Sequence, residues 1–526
     1  MNLLSGRTEG ALWRGVIPAA LLSALVLTGC APVDQKKEVA LYRDLLDARV
    51  PRVAEPGPGE KLSLAAALSL TSQNNEEIAL RGEDYVQALI AKNRAVANFL
   101  PTVSFQPNFT LEQRASDGGA TGVGPGGSGI GAGGTGSGTG TTATGTVGSG
   151  DFRNAGRVSY RTEAPVVGSI NLFRGGADAA NLKAAEAQIR QRRELLMDVQ
   201  SAVLLNTAQV FYQVLRSERQ VEVLRNGLKL QEARVRDEEG RLANGLSTKL
   251  AVAQSKAQAA DTRARLALAE GDVGNARNTL VFLTGLGRAD YPLADDFVVP
   301  DRRPGDAELE RAALEGRQDL RAAAAAVEVA RESVDVAVAQ YYPSVSLNVT
   351  GFLYREFFSD ASKWNSVLTA HVPIFSAGII EADVRNAWSR LRQAALAESN
   401  LRRSVVNDVR QAILNLRTAE RRVKELEDQV AAADEALKQA QAALANSLAI
   451  VLDVLTAQDQ LLSAQLLLTG AKFDRTVFYL DLLRATGRLI GTVRGGREVR
   501  SQMSEGAGGM NHESHEWARI GPTHSC

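Results

Sequence analysis

Cysteine is almost absent from this chain: Cys30 and Cys526 are the only two. No disulfide framework and no cysteine-based metal site follows from such a pair. Histidine is scarce as well, at His371, His512, His515 and His524. Three of these lie in a tail beyond Gly495 that is rich in glycine, serine and charge and reads as disordered; the alternative is weak metal binding by that tail. Charge of one sign is missing too. Sixty Lys and Arg balance sixty Asp and Glu, so there is no electrostatic case for nucleic acid or for an acidic partner. Aromatics make up only 5%, which excludes a large aromatic-rich core. No nucleophile–base constellation is present. The one glycine-rich tract lacks the Lys-Ser/Thr ending and the strand-to-helix setting of a phosphate loop. The sequence therefore gives no reason to expect an enzyme, a cofactor or a metal.

Proline is absent over one stretch where the absence matters, Gly175 to Asn244. Nothing there interrupts a helix of about 70 residues, roughly 105 Å long at 1.5 Å per residue. Its apolar residues recur every seven positions: Leu182, Ile189, Leu196, Val203 and Val210. The series slips by four and resumes at Val214, Val221, Leu228, Val235 and Leu242. A sustained seven-residue repeat supercoils a helix around its neighbours, and a four-residue slip locally relaxes the coil. Adding 202 reproduces the pattern at Val384, Leu391, Glu398, Val405 and Ala412, then Leu416, Val423, Val430, Leu437 and Leu444. Only Glu398 departs from the apolar register. The chain is an internal duplication built on long coiled-coil helices.

Each copy carries a second kind of pattern. After a helical stretch from Leu62 to Asn98, Val103, Phe105, Phe109 and Leu111 alternate with polar residues, as in a strand with one oily face. A second strand follows at Val158, Tyr160, Ala164 and Val166, with Arg157, Arg161 and Glu163 on its polar side. Of the 33 residues strictly between Asp117 and Asp151, 16 are glycine and none is charged, so this segment reads as a flexible loop. It is an insertion. Phe99-Leu100-Pro101-Thr102-Val103-Ser104 matches Tyr341-Tyr342-Pro343-Ser344-Val345-Ser346 at an offset of 242, and past the loop the offset falls to 202. The second copy begins near Ala307, with a helix to Tyr342 and strands at Val345–Leu353 and Trp364–Ile374. Phe173-Arg174-Gly175-Gly176 and Phe375-Ser376-Ala377-Gly378 lead into the two long helices.

The long helices end at turns, Asn244-Gly245-Leu246-Ser247 and Asn446-Ser447-Leu448-Ala449, and return helices run to Thr284-Gly285 and Thr486-Gly487. Each copy thus reads helix, strand, strand, long helix, turn, helix. The expected divisions are residues 61–290 for the first repeat with its insertion at 117–151, a linker at 291–306, the second repeat at 307–490, and a tail at 491–526. Four amphipathic strands cannot close a barrel, since the smallest bacterial outer-membrane barrels need about eight. Open strand edges in lipid leave costly unpaired backbone groups, so other chains must complete the sheet; three chains would give twelve strands.

The N-terminus is a targeting segment, residues 1–29. Arg7 and Arg14 precede a short apolar run, Val16 to Val26, that ends in Leu27-Thr28-Gly29-Cys30. This resembles a lipobox, in which Cys30 is lipidated and becomes the first mature residue, and Ala31 after it favours sorting to the outer membrane. An ordinary signal peptide with a chance cysteine is the alternative. Residues 30–60, with their prolines and charge, are expected to run extended.

Taken together, residues 60 to 490 resemble the TolC-like outer-membrane efflux proteins, in their lipoprotein branch. The resemblance rests on the duplication, the Pro-x-Val-Ser strand starts, the Asn-Gly-Leu-Ser turn and the Ala449-Ile450-Val451-Leu452-Asp453-Val454-Leu455-Thr456-Ala457 stretch. It implies a mainly α fold with a membrane β-barrel: a homotrimer whose twelve-stranded barrel continues into an α-helical periplasmic tunnel. The tip of the tunnel would meet a periplasmic adaptor and an inner-membrane pump. The polar strand face, with Arg157, Arg161, Glu163 and His371, would line a wet lumen, and the oily face would meet outer-membrane lipid. Asn244, Gly245, Leu246 and Ser247, with Asn446, Ser447 and Leu448, would be adaptor-contact tips, although hairpin chemistry alone also accounts for them. Asp453 falls where the family often places an acidic ring that constricts the tunnel. A common second aspartate is replaced here by Thr456, and the first repeat has Ala251 in place of Asp453; an ordinary solvated acid is the other reading. The expected function is the outer duct of a tripartite efflux or secretion system. The alternatives are a structural coiled-coil envelope lipoprotein and a duct for secreted proteins.

Overall fold

The computed structural model describes residues 34–55, 57, 59–113, 158–300, 303–355, 363–446 and 448–491. The first helix is α1 (Gln35–Arg49), with Asp34 as its N-cap. A short strand β1 (Leu62–Ser63) leads into α2 (Leu64–Asn74) and α3 (Glu76–Ala97). Strands β2 (Thr102–Phe105), β3 (Asn108–Gln113) and β4 (Val158–Arg174) follow, then the long helix α4 (Ala177–Ala243) and its return α5 (Lys249–Thr284). The second copy comprises β5 (Leu293–Ala294), α6 (Asp306–Gly316), α7 (Gln318–Ala339), β6 (Ser344–Arg355), β7 (Trp364–His371), α8 (Ile379–Ala445) and α9 (Val451–Ala485).

The chain divides into two compact units. One holds Arg94–Ala180 and Asp335–Asp383, and the other holds the remaining described residues. In the first, β4 is the centre of an antiparallel sheet. It pairs β2 and then β3 on one side and β6 on the other, and β6 pairs β7. The sheet therefore has four strand positions, because β2 and β3 are successive pieces of one interrupted strand. The sequence reading has a single strand through Val103 and Leu111; the structure splits it at Pro107, which has no N–H to give the ladder. Gln106 bridges the gap, donating its N–H to the Pro165 carbonyl at 3.0 Å. Pro165 itself marks a register shift between β4 and β6.

The passage from β4 into α4 needs a left-handed residue, and Gly175 supplies it with φ 64°. A Cβ at Gly175 would lie 2.3 Å from the Ala339 carbonyl oxygen, so glycine is required there. The equivalent residue after β7 is Ala377, the one described non-glycine residue with positive φ, at 50°. The duplication thus keeps a backbone bend that is made by glycine in the first copy and by alanine in the second.

In the second unit, the seven-residue repeat does the packing. α4 and α8 are each 67 residues long, and both ends of α8 lie 202 residues beyond those of α4. Every member of the two apolar series is buried or half-buried. The main core gathers at mid-length, where Leu204, Phe211 and Val214 of α4 meet Val405, Val409 and Leu416 of α8 and Leu480 of α9. The parallel pair of β1 with β5 ties the two copies together beside this core, with Leu62 opposite Leu293.

Three further expectations are corrected. Residues 35–49 are helical instead of extended, because Tyr42 and Leu46, four apart, bury one face against Ile78, Val86, Leu196 and Val203. The segment 291–306, expected as a linker, contributes β5, which opens the second copy. The helices before the strands each break once, at Asn75 and at Arg317, positions 242 apart with nearly equal extended geometry (φ −74°, ψ 125° and φ −71°, ψ 131°). At the first break the Asn75 side chain accepts from the Glu77 N–H at 3.0 Å, an N-cap signal inside an otherwise continuous apolar pattern. At the second, Arg317 reaches Asp319 at 2.6 Å and Asp408 at 3.0 Å.

Candidate functional site

Two features of this fold expose apolar side chains to solvent. The first is the sheet. Among the described residues, the outer edges of β2/β3 and β7 have no partner strand. Large apolar side chains on these edge strands are exposed, including Val103 at 69%, Trp364 at 65% and Leu368 at 64%. An open, oily sheet edge is an aggregation hazard in water, so soluble proteins blunt such edges. Among the described residues nothing blunts them. Aromatic residues also stand exposed where strands join helices, at Phe99, Phe173, Tyr341, Tyr342 and Phe375. On the polar side, Glu163 holds Arg355 at 3.1 Å across the β4–β6 ladder, and His371 sits at the end of β7 opposite Ser344. Arg157 and the Arg161 side chain lie outside the described residues.

The second feature is the pair of hairpin turns. Both close by the same bonds. Leu246 N–H donates to the Arg241 carbonyl and Leu448 N–H to the Ala443 carbonyl, each at 2.8 Å. Asn244 Nδ2 donates to the Gly240 carbonyl at 2.8 Å, and Asn446 Nδ2 to the Ala442 carbonyl at 2.9 Å. Gly245 takes φ 75°. Each turn leaves one leucine almost wholly in solvent, Leu246 at 75% and Leu448 at 82%. Leu250 and Leu452, again 202 apart, are exposed as well. Ser447 and Cys30 lie outside the described residues.

The return helices start differently. In the first copy the Thr248 hydroxyl accepts from the Ala251 N–H at 3.1 Å. In the second, Ile450 has no side-chain acceptor, and Asp453 does the capping: its Oδ2 accepts from the Ile450 N–H at 3.0 Å. Asp453 is exposed and lies in the first turn of α9, where a negative charge also complements the helix dipole. Its capping role is a property that spacing and neighbours alone did not reveal. The signal was there, in that an aspartate stands three residues after an N-cap position that cannot cap itself.

Ion pairs stitch the helices side by side. Arg216 of α4 reaches Asp474 of α9 at 2.9 Å, and Arg422 of α8 approaches the same carboxylate at 3.8 Å. Lys472 lies 2.9 Å from Glu427 and, by hydrogen bonding and charge, holds its carboxyl below the usual range. Glu427 and Lys472 also line a cavity of about 1110 Å³ between α4, α8 and α9, walled by Leu215, Val223, Leu461 and Phe473. No helix among the described residues is long and apolar enough to cross a membrane.

Comparison with known proteins places this architecture. SilC of Salmonella typhimurium, a probable outer membrane lipoprotein, is 24% identical over 319 residues, 59% of this chain and 67% of SilC. The outer membrane efflux protein BepC of Brucella suis is 25% identical over 337 residues, 63% of this chain and 73% of BepC. Among solved structures, the outer membrane protein VceC of Vibrio cholerae superposes with a TM-score of 0.67 at 20% identity, covering 81% of this chain and 96% of VceC. CusC superposes with a TM-score of 0.66 at 18% identity, covering 83% of this chain and 98% of CusC. Both share the fold. Residues 87–286 and 309–488, the two copies of the duplication, match the outer membrane efflux protein family. The chain belongs to that family.

Proposed function

We propose that three copies of the chain close a twelve-stranded barrel in the outer membrane and that their long helices form the periplasmic duct below it. Substrates handed over by an inner-membrane pump would leave the cell through this duct. The observation that carries the reading is the four-position sheet with two unpaired, oily edges. Threefold repetition supplies each edge with a partner, and lipid covers the exposed face. The aromatics at the strand–helix junctions suit the boundary between lipid and water. A spacer or tether would have no use for such a sheet. Cargo would be chosen by the pump, since the outer duct is shared between efflux and secretion. Leu246 and Leu448, projecting from equivalent turns, are suited to packing against the apolar seam of an adaptor's helices.

Asp453 belongs to the same proposal. Threefold symmetry would bring three of these carboxylates together at the tip, where cations relieve their repulsion. Purified protein in planar bilayers should give discrete conductance steps, and Asp453→Asn, which keeps an acceptor for the Ile450 N–H, should weaken block by divalent cations. A bilayer that stays electrically silent would count against the channel; unchanged block in the variant would move the constriction elsewhere.

Cys30 is proposed to carry the lipid anchor, a reading that SilC's designation as a lipoprotein supports. Mass spectrometry of the mature N-terminus should find an acylated Cys30. An unmodified cysteine, or a start elsewhere, would remove the anchor.

A further inference from the structure

The two hairpins are an internal control on each other. Their long helices are equal in length and their turns close with the same backbone bonds. Yet a buried charge backs the first turn only. Glu238, near the end of α4, is 0% exposed. Its Oε2 accepts from the hydroxyl of Ser247, in the turn, at 2.7 Å. Its Oε1 lies 3.2 Å from Arg234 Nη2 and 3.9 Å from Arg241 Nη1. The α4 and α5 helices also bury Gln231, Ser255 and Thr262. At the equivalent positions of the second hairpin stand Ala433, Ala436, Ala440, Ala443, Ala449, Ala457 and Ala464, alanine at all seven.

A hairpin of this length and turn therefore forms without any of these polar groups. Glu238 is not needed to close the turn, and desolvating a carboxylate is costly. A group that is both costly and dispensable for closure points to a restraint on position. We propose that Glu238 is a pin. Through Ser247 it ties the α4–α5 turn to the last turns of α4 and so holds Leu246 in one orientation, a restraint the α8–α9 hairpin lacks. This concerns the turn itself and stands whatever partner meets it.

Hydrogen exchange read by mass spectrometry on the full-length protein tests the pin. The reporters are the Leu246 amide and, as reference, the Leu448 amide, which make matching bonds. Leu246 should exchange about tenfold more slowly than Leu448, as expected when a charge-assisted hydrogen bond must open first. Ser247→Ala and Glu238→Ala should abolish the difference, and Glu238→Gln, which keeps an acceptor for Ser247, should retain part of it. Leu448 should not respond to any of them. Ser247→Ala removes one hydroxyl from a half-exposed turn, so it reports even if Glu238→Ala fails to fold. Equal exchange at the two leucines in the unmodified protein, or slow exchange at Leu246 that survives Ser247→Ala, would overturn the proposal.

Discussion

Single residues show where the duplication has drifted and what the drift costs. Ala377 holds the left-handed bend that Gly175 makes without strain, at a cost of about 1 kcal/mol for a residue with a Cβ. Ala377→Gly should therefore raise stability by about 0.5–1 kcal/mol, less than the full strain because glycine also loosens the unfolded chain. Gly175→Ala should lower it by more, because the added Cβ meets the Ala339 carbonyl. Thermal unfolding of the two variants in detergent checks both signs.

Two half-buried acids add a pH dependence. Burial raises the Asp198 carboxyl, the charge of Asp319 adds to it, and Arg484 at 4.0 Å offsets part. Burial likewise raises Asp481, against a hydrogen bond donated by Gln209 at 2.9 Å. A raised folded-state value means that the native state holds these protons more tightly than the unfolded chain does. The two groups favour folding in acid, and their contribution is lost as pH rises from the ordinary aspartate value of about 4 through the raised one. Asp198→Asn with Asp481→Asn should flatten the part of the stability profile that begins at the ordinary aspartate value, about pH 4, and runs upward from it. An unchanged slope would mean that neither acid is perturbed in the folded protein.

At the scale of elements, the sequence was legible wherever a period ran long. The seven-residue series fixed the register of both long helices, because ten apolar positions leave no other, and the proline-free stretch Gly175 to Asn244 lies within two residues of the first helix at each end. The return helix after the first turn was equally plain, with Thr248 as N-cap and Gly285, at φ 68°, ending it. What periodicity could not see were single residues that interrupt a pattern without changing it. Pro107 divides a strand whose apolar alternation continues on both sides. Asn75 and Arg317 divide helices whose apolar faces also continue. α1 was missed because its stability comes from tertiary burial of Tyr42 and Leu46, which no local propensity announces. The buried Glu238 was invisible for a related reason: a glutamate on a helix is most often solvated, and only packing shows that this one is not.

Across the whole molecule, helices and sheet differ in how much apolar surface they bury. Its helices bury the apolar seams of both copies within one chain, whereas among the described residues its sheet leaves two edges and an oily face open. The family match accounts for the architecture, and the proposed trimer would pair the open edges. Cross-linking of the strand edges tests this most directly. In a Cys526→Ser background, Val103→Cys on β2 would be combined in turn with Ser366→Cys, Val367→Cys or Leu368→Cys on β7, and the membranes oxidised. Ile170→Cys with Leu347→Cys, partners in the β4–β6 register, serves as the intrachain control. If β7 of one chain lies beside β2 of the next, at least one scanned pair will run as a covalent trimer on a denaturing gel, with dimer as its intermediate. If the control pair forms while every scanned pair stays monomeric, the barrel is not closed by neighbouring chains and the account fails.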